Sequence, residues 1–187
     1  IRGHMEKATP WFPCWGIKFE NKEILIPDLV NNFLKIRPNN RWLLISKFSA
    51  ASENHLWNAW YTMEQNFMNN TALSKNPDAE FIRIISGTNQ LKTAFSRAGL
   101  NKNDEQAWLI YLPSVQENLD LLPNISTISF TESAQKIIYL INASILTERP
   151  RPSKEGLERL GIEFNGNINS INDNLFIGHI ARSSITS

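Results

Sequence analysis

The sequence has little of the residue types from which cross-links and metal sites are made. Of its 187 residues one is cysteine, Cys14, and three are histidine. A single cysteine excludes a disulfide framework and a zinc site built from several cysteines. With so few histidines, we expect no metal site and no cofactor. Cys14 itself is expected to be a small buried apolar residue in a reducing, intracellular setting, and we predict a cytoplasmic location.

Long apolar runs and an excess of one charge are also lacking. No stretch approaches the roughly 20 apolar residues of a membrane-spanning helix, so the sequence predicts no membrane contact. The net charge of +1 gives the whole chain no strong attraction for nucleic acid. A modest local basic surface is left open, with Arg83, Lys92 and Arg97 as its candidates. Residues 1–4, before Met5, resemble a cloning remnant, and we predict one domain over residues 5–187.

The sequence does contain a series of strand and helix patterns. Apolar runs of strand length lie at 15–19, 23–26, 42–45, 81–85, 107–112 and 125–130, and helical periodicity lies at 27–36, 51–68, 91–98, 131–141, 153–160 and 172–184. The first two runs predict a hairpin. Strand 81–85, the helix after it and strand 107–112 have the size of a βαβ unit with parallel strands. The predicted fold class is α/β or α+β, a mixed β-sheet with helices on its faces and a C-terminal helical region.

The junction after run 81–85 is the first candidate site. It contains Ser86, Gly87 and Thr88, which the strand prediction places before a helix. The free N–H groups of a helix N-terminus attract anions, and Gly87 would let a phosphate approach closely. The junction matches neither the P-loop nor the dinucleotide-binding fingerprint, and Thr88 or Asn89 would serve equally well as an ordinary N-cap. Capping and ligand contact both stay open.

The sequence offers no recognisable set of catalytic residues. His55 has no nucleophile and orienting acid paired with it, and the carboxylates fall into no glycosidase, nuclease or metal motif. The last predicted helix, by contrast, carries an apolar patch beside Gly178, which packs either on its own domain or against a partner. The patch consists of Phe176, Ile177, Ile180 and Ala181. These observations favour a binding protein over an enzyme.

Three consecutive segments in the middle of the chain carry a resemblance to a known family. They are NHLWNAWYTMEQNF, TALSKNPDAEFIRIISGTNQLKTAFSRAGL and AWLIYLP, which cover most of residues 54–112. Their order, spacing and residue types together resemble the small kinase-binding subunit of the KEOPS (EKC) complex, the family of the PRPK-binding proteins. Residues 157–162 and 175–184 are similar in layout to that family's C-terminal helices.

The resemblance implies a non-catalytic regulatory subunit of the complex that forms threonylcarbamoyladenosine in tRNA. In that family the subunit binds and stimulates a small atypical protein kinase, and it helps to recruit tRNA by its 3′ CCA end. By position, the kinase contact falls on Leu175, Phe176, Ile177, Gly178, Ile180, Ala181, Arg182 and Ser184. The tRNA contact falls on His55, Ser86, Gly87, Thr88, Asn89 and Gln90. The chain departs from the family at Asn89, where an arginine is often found.

Two other classes of function stay open beside this one. A small nucleotide- or phosphosugar-binding α/β enzyme would use the helix N-terminus at Ser86, Gly87 and Thr88 as its phosphate cradle. Such an enzyme predicts a deep pocket with a convergent carboxylate or histidine. A homo-oligomeric scaffold would self-associate through the last helix. The resemblance favours the kinase-binding, tRNA-recruiting subunit, with no small-molecule substrate.

Overall fold

A computed structural model describes residues 8–115, 118–119, 122–123 and 127–185; the predicted cloning remnant lies outside them. Four strands and seven α-helices lie within these residues. The strands are β1 (Cys14–Phe19), β2 (Trp42–Ser46), β3 (Gln106–Tyr111) and β4 (Ala143–Leu146). The helices are α1 (Ile26–Ile36), α2 (Glu53–Met68), α3 (Pro77–Ile85), α4 (Leu91–Ala98), α5 (Thr127–Leu140), α6 (Lys154–Leu160) and α7 (Asp173–Ile180). A short 3₁₀ helix, Ala181–Ser184, follows α7 directly.

The strands form one sheet in the order β2-β3-β1-β4, and each neighbouring pair is antiparallel. The predicted α/β class with helices on the faces of a sheet is confirmed, but the described strands are antiparallel throughout and the sheet is not mixed. The predicted parallel βαβ unit is wrong, because β3 pairs antiparallel with both β1 and β2. The predicted hairpin partner of β1 at 23–26 is also wrong. The chain turns there and enters α1, and β4, which the sequence pattern did not predict, lies beside β1 instead.

Both faces of the sheet are covered by helices, which explains why β1, β2 and β3 are mainly apolar on both sides. In β2, Leu43 and Ile45 enter one core together with residues of α2, α3, α4, α6 and α7. Trp42 and Leu44 enter a second core on the opposite face, together with residues of α1 and α5. Alternate side chains of a strand point to opposite faces of the sheet. When helices cover both faces, the side chains on both sides are buried, and the sequence of the strand is a continuous apolar run.

Two segments that the sequence pattern predicts as strands are helical. Run 81–85 forms the end of α3, and residues 127–130 begin α5, whereas 125–126 lie outside the described residues. A short apolar run looks alike in a buried strand and in a buried helix. Here Pro77 begins the helix and Asp78 follows in its first turn, where both residue types are favoured. No helix of the described residues is long and apolar enough to span a bilayer.

Candidate functional site

Segment 86–88 is the C-terminal cap of α3, so the prediction that it joins a strand to a helix N-terminus is wrong. Gly87 has a φ angle of +65°. Its N–H donates to the carbonyl of Ile84 at 3.0 Å, and the N–H of Thr88 donates to the carbonyl of Arg83 at 3.4 Å. These two bonds form a Schellman motif, in which a glycine just past the helix takes the left-handed conformation.

The helix that follows, α4, begins only after a short loop. Gln90 is its N-cap residue and has extended backbone angles. The N–H of Gln90 donates to Oγ1 of Thr88 at 3.2 Å, so neither Thr88 nor Asn89 is the N-cap that the sequence predicted. Loop 88–90 therefore connects the end of one helix to the start of another, and Gln90 is exposed at its end.

A cleft of about 290 Å³ opens beside this loop. One wall consists of residues 87–90 together with Thr93 and Arg97 of α4. The other wall comes from the segment after α7, which contributes Arg182 and Ile185. The described lining holds two guanidinium groups and no carboxylate. The cleft is therefore suited to an anionic ligand, since arginine binds phosphate and carboxylate groups in a planar, multiply hydrogen-bonded geometry.

The two arginines of the cleft differ in how far they are already engaged. Nη1 of Arg97 donates to the carbonyl of Ser86 at 3.0 Å, so part of its hydrogen-bonding capacity is used within the fold. Arg182 is exposed, and no side-chain hydrogen bond or ion pair joins it to another described residue. Arg182 is therefore the cation of this cleft that is most available to a ligand.

The side chain of His179 connects α7 to the end of α3 by hydrogen bonds. Its Nε2 lies 3.0 Å from the carbonyl oxygen of Ser86 and 3.0 Å from that of Leu160. Both neighbours are acceptors, so Nε2 carries the proton and donates. Burial lowers the pKa of His179, and the charges of Arg97 and Arg182 lower it further, against the opposite effect of the two carbonyls. The ring is therefore a neutral structural link beside the cleft.

Arg83 makes a second link between loop 88–90 and the C-terminal segment. Its Nε and Nη2 lie 2.6 and 3.1 Å from the two carboxylate oxygens of Glu80. Its Nη1 donates to the carbonyls of Thr88, at 3.1 Å, and Ser183, at 2.5 Å. Neither side chain of the Arg83–Glu80 pair is more than 1% exposed. This residue, predicted as a component of a basic surface, is instead an interior cation.

His55 lies in the interior and not at the cleft. Its Nδ1 accepts the N–H of Ala51 at 3.0 Å, and its ring packs on Phe176 with 5.5 Å between ring centroids. Its Nε2 has no hydrogen-bond partner among the described residues. Burial lowers the pKa of His55 to about 3, with a smaller contribution from His179. In this position its side chain is out of reach of an RNA at the surface, as is that of Ser86, which is also buried.

The residues that the resemblance assigns to a kinase contact divide into an inner and an outer set. Phe176 and Ile180 belong to the core, with exposed fractions of 0% and 5%, and hold α7 in place. Leu175 and Ile177 are half-buried. The exposed members are Gly178, Ala181, Arg182 and Ser184. A Cβ atom at Gly178 would meet nothing within 4 Å, so this face is open and nearly flat.

Four residues of the cleft were not assigned to an RNA contact from the sequence, and one of them, Arg182, was assigned to the kinase contact instead. Thr93 and Arg97 face the cleft because they lie four residues apart on α4, a spacing that places them on one helix face. Ile185 reaches it through the packing of α7, for which the sequence held no signal.

No cluster of three or more His, Cys, Asp or Glu side chains in the described parts of the chain is placed to hold a metal ion. The chemistry within reach of the cleft is recognition by guanidinium, hydroxyl and amide groups. In comparisons with known proteins, the chain matches no protein-family model and no curated protein sequence.

Proposed function

We propose that this chain is a non-catalytic regulatory subunit of a tRNA threonylcarbamoyladenosine-modification complex. In this role it binds and stimulates a small atypical protein kinase and helps to recruit tRNA by its 3′ CCA end. The resemblance of residues 54–112 to the kinase-binding subunits of KEOPS suggests the complex. The observation that carries the proposal is the cationic cleft between residues 87–90 and Arg182, since residues 87–90 belong to the most recognisable segment of the resemblance.

The cleft suits the end of a single strand of RNA. Such an end presents phosphates together with bases whose edges are free. Arg97 and Arg182 supply positive charge for a phosphate, and the hydroxyl and amide groups of Thr88, Asn89 and Gln90 supply donors and acceptors for a base or ribose. Two local arginines on a chain of net charge +1 predict weak binding by the isolated subunit, as expected of an accessory role.

The outer face of α7 suits a protein partner. Gly178 and Ala181 leave a surface without protruding side chains, so a partner can approach the helix backbone closely. Ile177 and Ile185 border this surface, and Ile185 is 59% exposed. An open helix face with apolar borders is the kind of surface used in helix-in-groove recognition.

The RNA part of the proposal is tested by fluorescence anisotropy with two labelled tRNAs, one complete and one lacking the CCA end. We expect loss of the CCA end to weaken binding about tenfold or more, because each stacked or hydrogen-bonded base contributes about 1–3 kcal/mol. Equal affinity for the two tRNAs would contradict a role in holding the 3′ end. Tight binding of a free nucleotide would instead support the enzyme alternative.

The kinase part is tested by co-expression with the small kinase of the same organism. Ala181→Asp places a charge on the outer face of α7 and should abolish co-purification. Gln135→Asp makes a comparable change at an exposed position of α5, on the other side of the sheet, and should leave co-purification intact. Continued co-purification of the Ala181→Asp protein would show that this face is not the contact. Light scattering of the isolated chain tests self-association through α7.

A further inference from the structure

We propose that Arg83 is a positioning residue that joins the RNA cleft and the kinase-binding face into one mechanical unit, so that binding at either site strengthens binding at the other. The inference rests on the proposed function, because it takes the cleft as the RNA site and α7 as the kinase site. What it adds is the physical connection between the two sites and the residue that makes it.

The connection depends on the planar fork of the Arg83 guanidinium. One edge of the fork is occupied by both carboxylate oxygens of Glu80. The remaining nitrogen, Nη1, has two hydrogens and donates one to the carbonyl of Thr88 and the other to that of Ser183. Thr88 belongs to one wall of the cleft, and Ser183 lies between the two residues that form the other wall. A single nitrogen atom therefore fixes the two walls relative to each other.

Stability alone gives little reason for a charge at position 83. Its helical neighbours Phe81, Ile82, Ile84 and Ile85 are all buried, so an apolar side chain would suit this position. Replacing a buried ion pair by apolar residues of similar volume is often neutral or stabilising, since desolvation offsets much of the attraction. What an apolar residue cannot replace is the pair of hydrogen bonds to two distant carbonyls.

The same geometry explains how the two sites influence each other. A partner that holds the segment 181–185 in place also holds Nη1 of Arg83 in position to bind the carbonyl of Thr88. The hydrogen bond from His179 to Ser86 adds a second connection between the same two parts of the chain. Because binding energies are linked reciprocally, a kinase that orders this unit raises RNA affinity by the factor by which RNA raises kinase affinity.

The first test measures amide hydrogen exchange by mass spectrometry on the free protein, with Glu80 and Arg83 replaced together by Gln and Met. The double change avoids leaving a buried carboxylate without its partner, which is strongly destabilising. We expect amide exchange in the peptides covering 86–90 and 181–185 to become faster together, by about tenfold or more. This increase corresponds to the loss of one or two hydrogen bonds from a charged group. Exchange in β1 and β3 should not change.

The chain offers a comparable ion pair as a control in another part of the structure. Arg41 likewise contacts one carboxylate, that of Glu64, and two carbonyls, those of Leu112 and Pro113, although all three contacts are made by its Nη1. Replacing Glu64 by Gln and Arg41 by Met should loosen residues 112–115 and leave 86–90 and 181–185 unchanged. If the two cleft segments exchange at the wild-type rate in the Glu80/Arg83 variant, or if only one of them loosens, the positioning role is overturned.

The second test measures tRNA affinity with and without saturating kinase. We expect the kinase to raise the affinity of the wild type by about tenfold, within the range of known couplings, and this ratio to fall towards one in the Glu80/Arg83 variant. Arg83→Lys should also lose the ratio, because an ammonium group paired with Glu80 lacks the fork that reaches both carbonyls. A ratio that survives in both variants overturns the coupling. Failure of the wild type to bind either partner would reject the proposed function, whereas the exchange experiment would still decide the role of Arg83.

Discussion

A Cβ atom at position 87 would lie 2.6 Å from the carbonyl oxygen of His179 and closer still to the His179 ring. Gly87 and His179 therefore leave no room for a side chain between the end of α3 and α7. The φ angle of +65° at Gly87 is a separate requirement for glycine, because an L-residue pays for the left-handed conformation even in open space.

Gly87→Ala is expected to lower the free energy of unfolding by about 2–5 kcal/mol, the sum of left-handed strain and overpacking. Urea denaturation measures this loss. Gly178→Ala is the matched control, because Gly178 lies within a helix and a Cβ atom there meets open space. That change should stabilise the protein by about 0.5–1 kcal/mol. A Gly87→Ala protein as stable as the wild type would contradict the close packing of α7 on this turn.

Ile180→Asp is expected to unfold the protein or to cost more than about 3 kcal/mol, because it puts a carboxylate into the core. The neighbouring change Ala181→Asp is at an exposed position and should shift stability by less than about 0.5 kcal/mol. Circular dichroism and urea midpoints of the two proteins make the comparison. A folded Ile180→Asp protein would show that Ile180 belongs to the outer face, as the family resemblance implies.

Arg182→Gln should weaken tRNA binding and reduce its dependence on salt. Each phosphate contact that is lost lowers the slope of log affinity against log salt concentration by about 0.7–1. Lys136→Gln removes the same charge from α5, on the opposite side of the sheet, and should leave the slope unchanged. Anisotropy titrations between about 50 and 200 mM salt resolve a difference of this size. Equal slopes in the two variants would show that Arg182 makes no contact with the RNA.

His55 should make folding sensitive to acid. Its pKa is about 3 in the folded protein and 6.5 ordinarily, so between these values the unfolded chain binds a proton that the folded chain does not. The contribution of neutral His55 to the free energy of unfolding is complete above pH 6.5. As the pH falls below this value, the contribution is lost by up to about 1.4 kcal/mol per pH unit.

Urea denaturation of the wild type and of His55→Asn, over a range of about three pH units from about pH 4.5 to 7.5, tests this prediction. The asparagine amide oxygen can still accept the N–H of Ala51, and the carboxylates common to both proteins cancel in the difference. The variant should show the shallower decline of stability below pH 6.5. Parallel pH profiles would mean that His55 is protonated in the folded state as readily as in the unfolded chain.

The sequence predicted best those elements whose ends carry their own local signals. Helix α2 ends at Met68, just before Asn69 and Asn70, and Asn70 takes the positive φ of +55° that asparagine tolerates. Helix α6 begins after Ser153, whose hydroxyl accepts the N–H of Gly156. Such signals act within a few residues, so they can be read without knowledge of the fold.

Run 81–85 was assigned incorrectly because its five residues contain no such signal. Both a strand and a helix buried on all sides would be apolar throughout. The deciding residues lie before the run, where Pro77 and Asp78 begin a helix, and Glu80 stands one turn before its partner Arg83. Gly87 then lies just past Ser86, the C-cap of this helix, so segment 86–88 is no phosphate cradle at a helix N-terminus.

The cleft could not be predicted, because its walls come from parts of the chain that only tertiary packing brings together. Arg97 was a candidate for a basic surface, and Arg182 was assigned to the kinase contact by resemblance. Their approach depends on the hydrogen bonds from His179 to Ser86 and from Arg83 to Ser183. Neither bond has a counterpart in residue spacing or periodicity.

The place of α7 in the core also has a consequence for how the protein is made. Phe176 and Ile180 complete the same core as Leu56 and Phe81, which are synthesised about a hundred residues earlier. Until the ribosome has released α7, the nascent chain exposes the apolar surfaces of α2 and α3 that this helix later covers. Chains that stop short of Ile180 should therefore aggregate or depend on chaperones.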